Sequence, residues 1–204
     1  MTEGEKQYIT LGSYEMQSWD CEQEEIVSSG KKQPLSWEIL TYSSDKKRAL
    51  VLCRNIIVFK SYNTNYRDIN WENCTLRRWL NRDFYEAAFS AEERKLIIPT
   101  TVSNPANPKF GTGGCNDTED RIFLLSIDEA KGYFPNDDAR VRTTYNGLAH
   151  WWFLRSACGS NEVALVTLDG EVDDFISLYE DHGYIYNSAN GVCPAFWINL
   201  NLHI

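Results

Sequence analysis

Trp151-Trp152-Phe153-Leu154-Arg155-Ser156 and Gly191-Val192-Cys193-Pro194-Ala195-Phe196-Trp197-Ile198-Asn199-Leu200 decide how this chain is read. Both stretches are aromatic and core-like. The residues between them are polar and acidic. Arg155 is the last Lys or Arg of the 204-residue chain, so residues 156–204 hold seven of its 29 acids and none of its 20 bases. Those acids are Glu162, Asp169, Glu171, Asp173, Asp174, Glu180 and Asp181. A fixed frame around such an insert predicts a display surface.

The rest of the composition sets bounds on that reading. A length of 204 residues with 43% apolar and 13% aromatic residues suits one domain, 1–204, with a substantial core. A net charge of −9 argues against nucleic acid, which demands clustered Lys and Arg. Lys46-Lys47-Arg48 and Arg77-Arg78 are too short to track a phosphate backbone. No apolar run approaches the roughly 20 residues of a membrane span. Met1 to Gln7 lacks the apolar core of a signal peptide, which predicts a cytoplasmic protein. A phage particle or cell surface reached by another route is the alternative. The cysteines Cys21, Cys53, Cys74, Cys115, Cys158 and Cys193 form no CxxC pair, so metal-ligand spacing is absent and buried thiols are expected. In an oxidising setting, Cys158 with Cys193 is the pair to test, since they flank the insert.

Periodicity places the elements. Tyr8 to Glu15 alternates as a strand interrupted at Gly12, and the acidic, Ser-rich stretch Asp20–Lys32 reads as a loop. Leu35–Leu40 and Ala49–Cys53 read as paired strands joined at Tyr42–Lys47. Residues 54–74 look irregular. A helix is expected from an N-cap at Asn73 or Thr75, with Leu76, Trp79, Leu80, Phe84, Ala87 and Ala88 at helical spacing. Ser90-Ala91-Glu92-Glu93 and Ser126-Ile127-Asp128-Glu129 are capping boxes, with Pro99 and Gly132 marking the helix ends. Residues 101–120 read as a long surface loop, and Ile122–Leu125 as a buried strand. Val163–Leu168, the Asp169-Gly170 turn and Glu171–Leu178 read as a hairpin, and Ala195–Leu200 as the last strand. The total is an α+β fold of short antiparallel sheets, two or three helices and long loops.

Chemistry is sparse. Gly111-Thr112-Gly113-Gly114 lacks the Lys-Ser/Thr of a phosphate loop. His150, His182 and His203 have no spacing that secures a nucleophile–base pair. A hard cation on Asp173, Asp174, Glu180, Asp181 and His182 would need an ordered ligand loop that the pattern does not supply. No catalytic residue, metal or cofactor is therefore expected. The insert reads better as a recognition surface, because Tyr gives rigid contact area while Ser and Asn give adaptable hydrogen bonds. Its expected ligand-binding residues are Asp173, Asp174, Phe175, Ser177, Tyr179, Asp181, His182, Tyr184, Tyr186, Asn187 and Asn190. An ordinary hairpin with exposed aromatics is the alternative. Phe153 to Phe196 also lacks Lys, Gln, Met and Trp, a bias toward codons ending in a pyrimidine, as adenine-directed mutation of Asn codons would leave.

Pro34–Leu40, Trp71–Asn81, Phe84–Ser90, Ile122–Ser126, Trp151–Ser156 and Gly191–Leu200 together resemble a bacterial and phage family known only as a domain of unknown function. The resemblance runs from about residue 8 to 200. That family is similar to C-type-lectin-fold proteins, including the variable proteins of diversity-generating retroelements. The resemblance implies a C-type-lectin-like fold, with 153–196 as a variable ligand-binding segment on a constant scaffold. It departs at Cys193, where Arg is usual, and at Ala157-Cys158, where Pro-Gly is common. The Glu-Pro-Asn and Trp-Asn-Asp motifs of calcium-dependent lectins are absent. The resemblance does not imply sugar binding; the acidic charge favours a partner with a basic or neutral surface, a protein or a small polar or carbohydrate ligand. A formylglycine-generating-type or other cysteine-dependent oxidoreductase, and a structural surface or phage-tail subunit, are the alternatives.

Overall fold

Alternating apolar residues build the first hairpin. In the computed structural model, which describes residues 6–20, 22–23, 25–65, 69–107, 109, 111, 114–159, 162–173 and 190–202, β1 (Tyr8–Asp20) buries Leu11, Met16 and Ser18. β2 (Glu25–Tyr42) buries Leu35 and Trp37 and pairs antiparallel with β1 from Tyr8↔Glu38 to Asp20↔Glu25. The expected loop Asp20–Lys32 is thus mostly strand. Its polar residues are compatible with a ribbon whose Glu25, Ser28, Gly30, Lys31 and Lys32 are exposed. The interruption read at Gly12 is a register shift between Thr10 and Ser13. Past the Tyr42–Lys47 turn, β3 (Arg48–Cys53) pairs antiparallel with β2, as the pattern implies. β4 (Val58–Phe59) is a short strand within the stretch read as irregular.

The main helix departs from simple periodicity. Leu76, Leu80, Phe84 and Ala88 are all buried, one every four residues rather than about every 3.6. A π-helical turn at Leu80–Phe84, between α1 (Thr75–Trp79) and α2 (Tyr85–Ala88), widens the coil and keeps this row facing the core. Ala87, expected on that face, is exposed. The N-cap is neither Asn73 nor Thr75 but Cys74, whose sulfur accepts from the Arg77 N–H at 3.4 Å.

Both capping boxes form. Ser90 opens α3 (Ala91–Leu96) and Ser126 opens α4 (Ile127–Tyr133), each exchanging hydrogen bonds with the Glu three residues on. α3 ends at Leu96, before Pro99, because β5 (Ile97–Ile98) takes over. α4 runs past Gly132 to Tyr133. The expected loop 101–120 contains most of a small hairpin of β6 (Thr100–Val102) with β7 (Thr118–Asp120). Ile122–Leu125 is buried as expected, but its pairing is a single bridge from Phe123 to Ala195.

The C-terminal strands are β8 (Trp152–Gly159), β9 (Glu162–Val166), β10 (Val172–Asp173), β11 (Gly191–Val192) and β12 (Ala195–Asn199). The hairpin expected around Asp169-Gly170 joins β9 to β10, with Val172 opposite Val166. Residues 174–178 of its expected second strand lie outside the described residues. One sheet runs β1-β2-β3-β12-β5, antiparallel throughout, and the other β10-β9-β8-β11-β4, with one parallel pair, β8 and β11. A single continuous core joins them, and within the first sheet Trp37 packs edge-on to Phe196 at 4.6 Å. Strands with a few short helices make this a mixed α+β fold.

Candidate recognition site

The two ends of the insert meet in the second sheet. Trp152 is buried and its indole N–H donates to the Arg140 carbonyl at 3.2 Å. The carbonyl of half-buried Trp151 accepts from the Gly191 N–H at 2.8 Å. A Cβ on Gly191 would lie 2.7 Å from Ile56 Cγ2 and 2.9 Å from that carbonyl, so no larger residue fits without movement. On the far side β4 completes the clamp, Gly191 pairing with Phe59 and Val192 with Val58.

Arg155, the last cation, faces inward. Its guanidinium donates to the carbonyls of Leu124 (2.8 Å) and Ser103 (3.1 Å) and grips both oxygens of Glu129. Such forked pairing is stronger and more directional than a single contact. Glu129 also closes the α4 capping box, so one carboxylate ties a helix start to the strand that opens the insert. A second buried pair, Arg142 with Glu38 at 2.7 Å, joins the loop before β8 to β2.

The Asp169-Gly170 turn is docked as well as tight. Gly170 has φ +85°, and a Cβ there would lie 1.9 Å from the Asp137 carbonyl oxygen. The Gly170 carbonyl accepts from Arg140 Nε at 2.8 Å. The exposed Asp169 carboxyl is held below the usual range, chiefly by the Thr167 hydroxyl, while burial pushes the Glu162 carboxyl up.

Of the expected ligand-binding residues, Asp173 is half-buried on β10 opposite Leu165. Asn190, expected on the binding surface, is fully buried, and its carbonyl accepts from the Lys60 N–H at 3.3 Å. Asp174, Phe175, Ser177, Tyr179, Asp181, His182, Tyr184, Tyr186 and Asn187 lie outside the described residues, as do Glu180 and His203. Half-buried His150 packs edge-on to Phe59 at 4.8 Å. Among the described residues no three His, Cys, Asp or Glu side chains converge to hold a metal ion. Sequence reasoning missed Arg140, Gly170 and Gly191 as clamps. Their signal is geometric rather than compositional, although the second capping box already singled out Glu129.

Cys53, Cys74 and Cys193 are buried free thiols, Cys158 is buried and in no disulfide, and Cys115 is half-buried and free. Cys158 and Cys193 are therefore not bridged, and the Cys193 thiol donates to the Cys53 carbonyl at 2.9 Å. Burial pushes the thiols of Cys53 and Cys74 up to about 12, and Cys193 well above its ordinary value. No helix among the described residues is long and apolar enough to cross a membrane.

The described parts define a strand-dominated α+β domain that holds one long acidic connection between fixed strand ends. The chain belongs to the family described as a domain of unknown function (DUF6273), which matches residues 47–200. β1 and β2 both precede that match. No curated protein and no solved structure matches the chain.

Proposed function

We propose that this protein is a non-enzymatic recognition module that displays a variable binding surface on a C-type-lectin-like scaffold, as the target protein of a diversity-generating retroelement. The observation that carries the reading is the Trp151–Gly191 hydrogen bond at 2.8 Å, made where Gly191 admits no side chain. A connection clamped at both ends can change its exposed residues without disturbing the sheet beneath. The acid-rich composition of 156–204 favours a protein or a small polar or carbohydrate partner with a basic or neutral surface. Buried, protonated thiols weigh against the cysteine-dependent oxidoreductase, because the thiolate is the nucleophile.

The test replaces Phe175, Tyr179, Tyr184 and Tyr186 together with Ala and screens both proteins against arrayed basic peptides and neutral glycans. Binding should vanish, with Tm moving by no more than about 2 °C. A Tm loss of about 10 °C or more would make these aromatics core and end the reading. The retroelement itself is tested in the surrounding DNA, by an adjacent reverse transcriptase and a near-copy of codons 153–196 differing at adenines.

A further inference from the structure

We propose that the groove between β4 and α1 binds a small organic anion, a carboxylate or phosphate on an apolar or ring-bearing body. The cavity holds about 500 Å³, within the range of small-molecule sites. Phe59 and Leu76 form its floor and Trp79 an aromatic wall. Three cations surround it. Lys60 Nζ stands 5.1 Å from the Trp79 ring centroid, and Arg78 and Arg82 sit four residues apart on one helix face.

The charge at this groove opposes that of the chain. Among the described residues neither Lys60 nor Arg78 meets a carboxylate. Arg82 reaches Asp83 at 3.5 Å, but both side chains are more than half exposed, where such a pair contributes little. A protein of net charge −9 therefore groups three cations against one acid around an aromatic-walled hollow. An anion relieves the repulsion among the cations, and the arginine forks match planar carboxylate or phosphate oxygens. The apolar floor and Trp79 take the body of the ligand.

Titration calorimetry with phenyl phosphate, benzoate, inorganic phosphate and phenol separates the contributions. Phenyl phosphate or benzoate should bind saturably and weaken as salt rises, and the tighter of the two names the preferred anion. Phenol and inorganic phosphate should bind at least about tenfold more weakly, each lacking one half of the chemistry. The Arg78→Ala/Arg82→Ala double variant, with an unchanged Tm, should lose about tenfold in affinity, and Asp83→Asn should gain a few-fold. Three outcomes overturn the proposal. They are phenol binding as tightly as phenyl phosphate, an unchanged Kd in the folded double variant, and no saturation by either organic anion below about 10 mM.

A different observation points to a buried water. A cavity of about 20 Å³ is lined by Asn104, Arg155, Ser126 and Ser156, among others. Two buried atoms on its lining residues, Asn104 Oδ1 and Arg155 Nε, have no hydrogen-bond partner among the described residues. The Asn104 amide cannot be turned over, because its nitrogen donates to the carbonyls of Val102 (3.0 Å) and Asn116 (3.1 Å). One water accepts from the Arg155 Nε–H and donates to Asn104 Oδ1, and the space suits one molecule. The guanidinium opposes a cation there, and the amide oxygen opposes an anion. The bridge ties residue 104 to the strand that opens the insert. A crystal structure of the intact protein at about 1.8 Å or better should show one ordered water about 3 Å from both atoms. An empty cavity, or Asn104 bonded directly to Arg155, would refute it.

Discussion

The two five-stranded sheets share a core but are held together differently. The antiparallel sheet is built on the consecutive strands β1, β2 and β3, with β12 and two-residue β5 added beside them, and it buries Trp37, Leu50, Leu52 and Phe196. The mixed sheet includes three strands of two residues each, β4, β10 and β11, drawn from distant parts of the chain. Ladders so short gain little from pairing alone, so single contacts fix them: Gly191 against Ile56, Gly170 against Asp137, and Arg155 on Glu129. The lesson is that the first sheet tolerates polar exposure along its ribbon, whereas the second depends on individual atoms.

The largest effect should come from the first sheet. Trp37→Ala removes a fully buried indole and its bond to the Leu11 carbonyl at 2.8 Å, and should cost about 4 kcal/mol in urea unfolding. A loss under about 1 kcal/mol would break the claim that burial holds that sheet. In the second sheet, Gly191→Ala should cost about 3 kcal/mol through overpacking. Gly30→Ala is the control: its φ is +72° but nothing lies within 4 Å, so only backbone strain of about 1 kcal/mol is expected. Equal losses at the two glycines would erase the distinction. Glu129→Ala leaves the Arg155 guanidinium buried without its carboxylate. Because the Glu129 side chain is 28% exposed, about 2 kcal/mol is expected rather than the full cost of a buried pair.

The smallest effect, read per pH unit and per thiol, is a slope with pH. Cys53 and Cys74 stay protonated in the fold up to about 12, while in the unfolded chain such thiols ionise near 8.5 to 9. Their contribution is complete below pH 9 and is lost as pH rises toward 12. The loss is about 1.4 kcal/mol per pH unit for each thiol. Cys193 is raised in the same direction, so Cys74→Ser, which keeps a capping oxygen and removes one of three titrations, should lower the alkaline slope measured by chemical denaturation by about a third. An unchanged slope would show that Cys74 does not remain protonated in the folded chain.

What could be read in the sequence follows the same divide. Ser90-Glu93, Ser126-Glu129, the Tyr42–Lys47 turn and the Asp169-Gly170 turn were all legible, because each signal spans only a few residues. The alternation of Phe196 and Ile198 also reads directly onto the buried face of β12. Asp20–Lys32 was misread because a solvated ribbon shows no apolar alternation to reveal it. The two-residue strands were invisible for another reason: their partners lie up to 134 positions away, as with Val58 and Val192. Arg155 illustrates both limits. Its place at the edge of the acidic stretch suggested a boundary, while its carboxylate partner, Glu129, is 26 residues earlier.

The Trp151–Gly191 closure also bears on length. Once two chain ends are pinned together, the entropic penalty of a longer loop grows only logarithmically, about 0.6 kcal/mol for each doubling. The clamp at Gly191 is therefore nearly indifferent to the length of the connection that enters it from β10. Relatives of this chain could insert or delete whole turns between β10 and β11 and keep the same β-sheet, and a designer could graft a foreign loop of quite different size between those two strands.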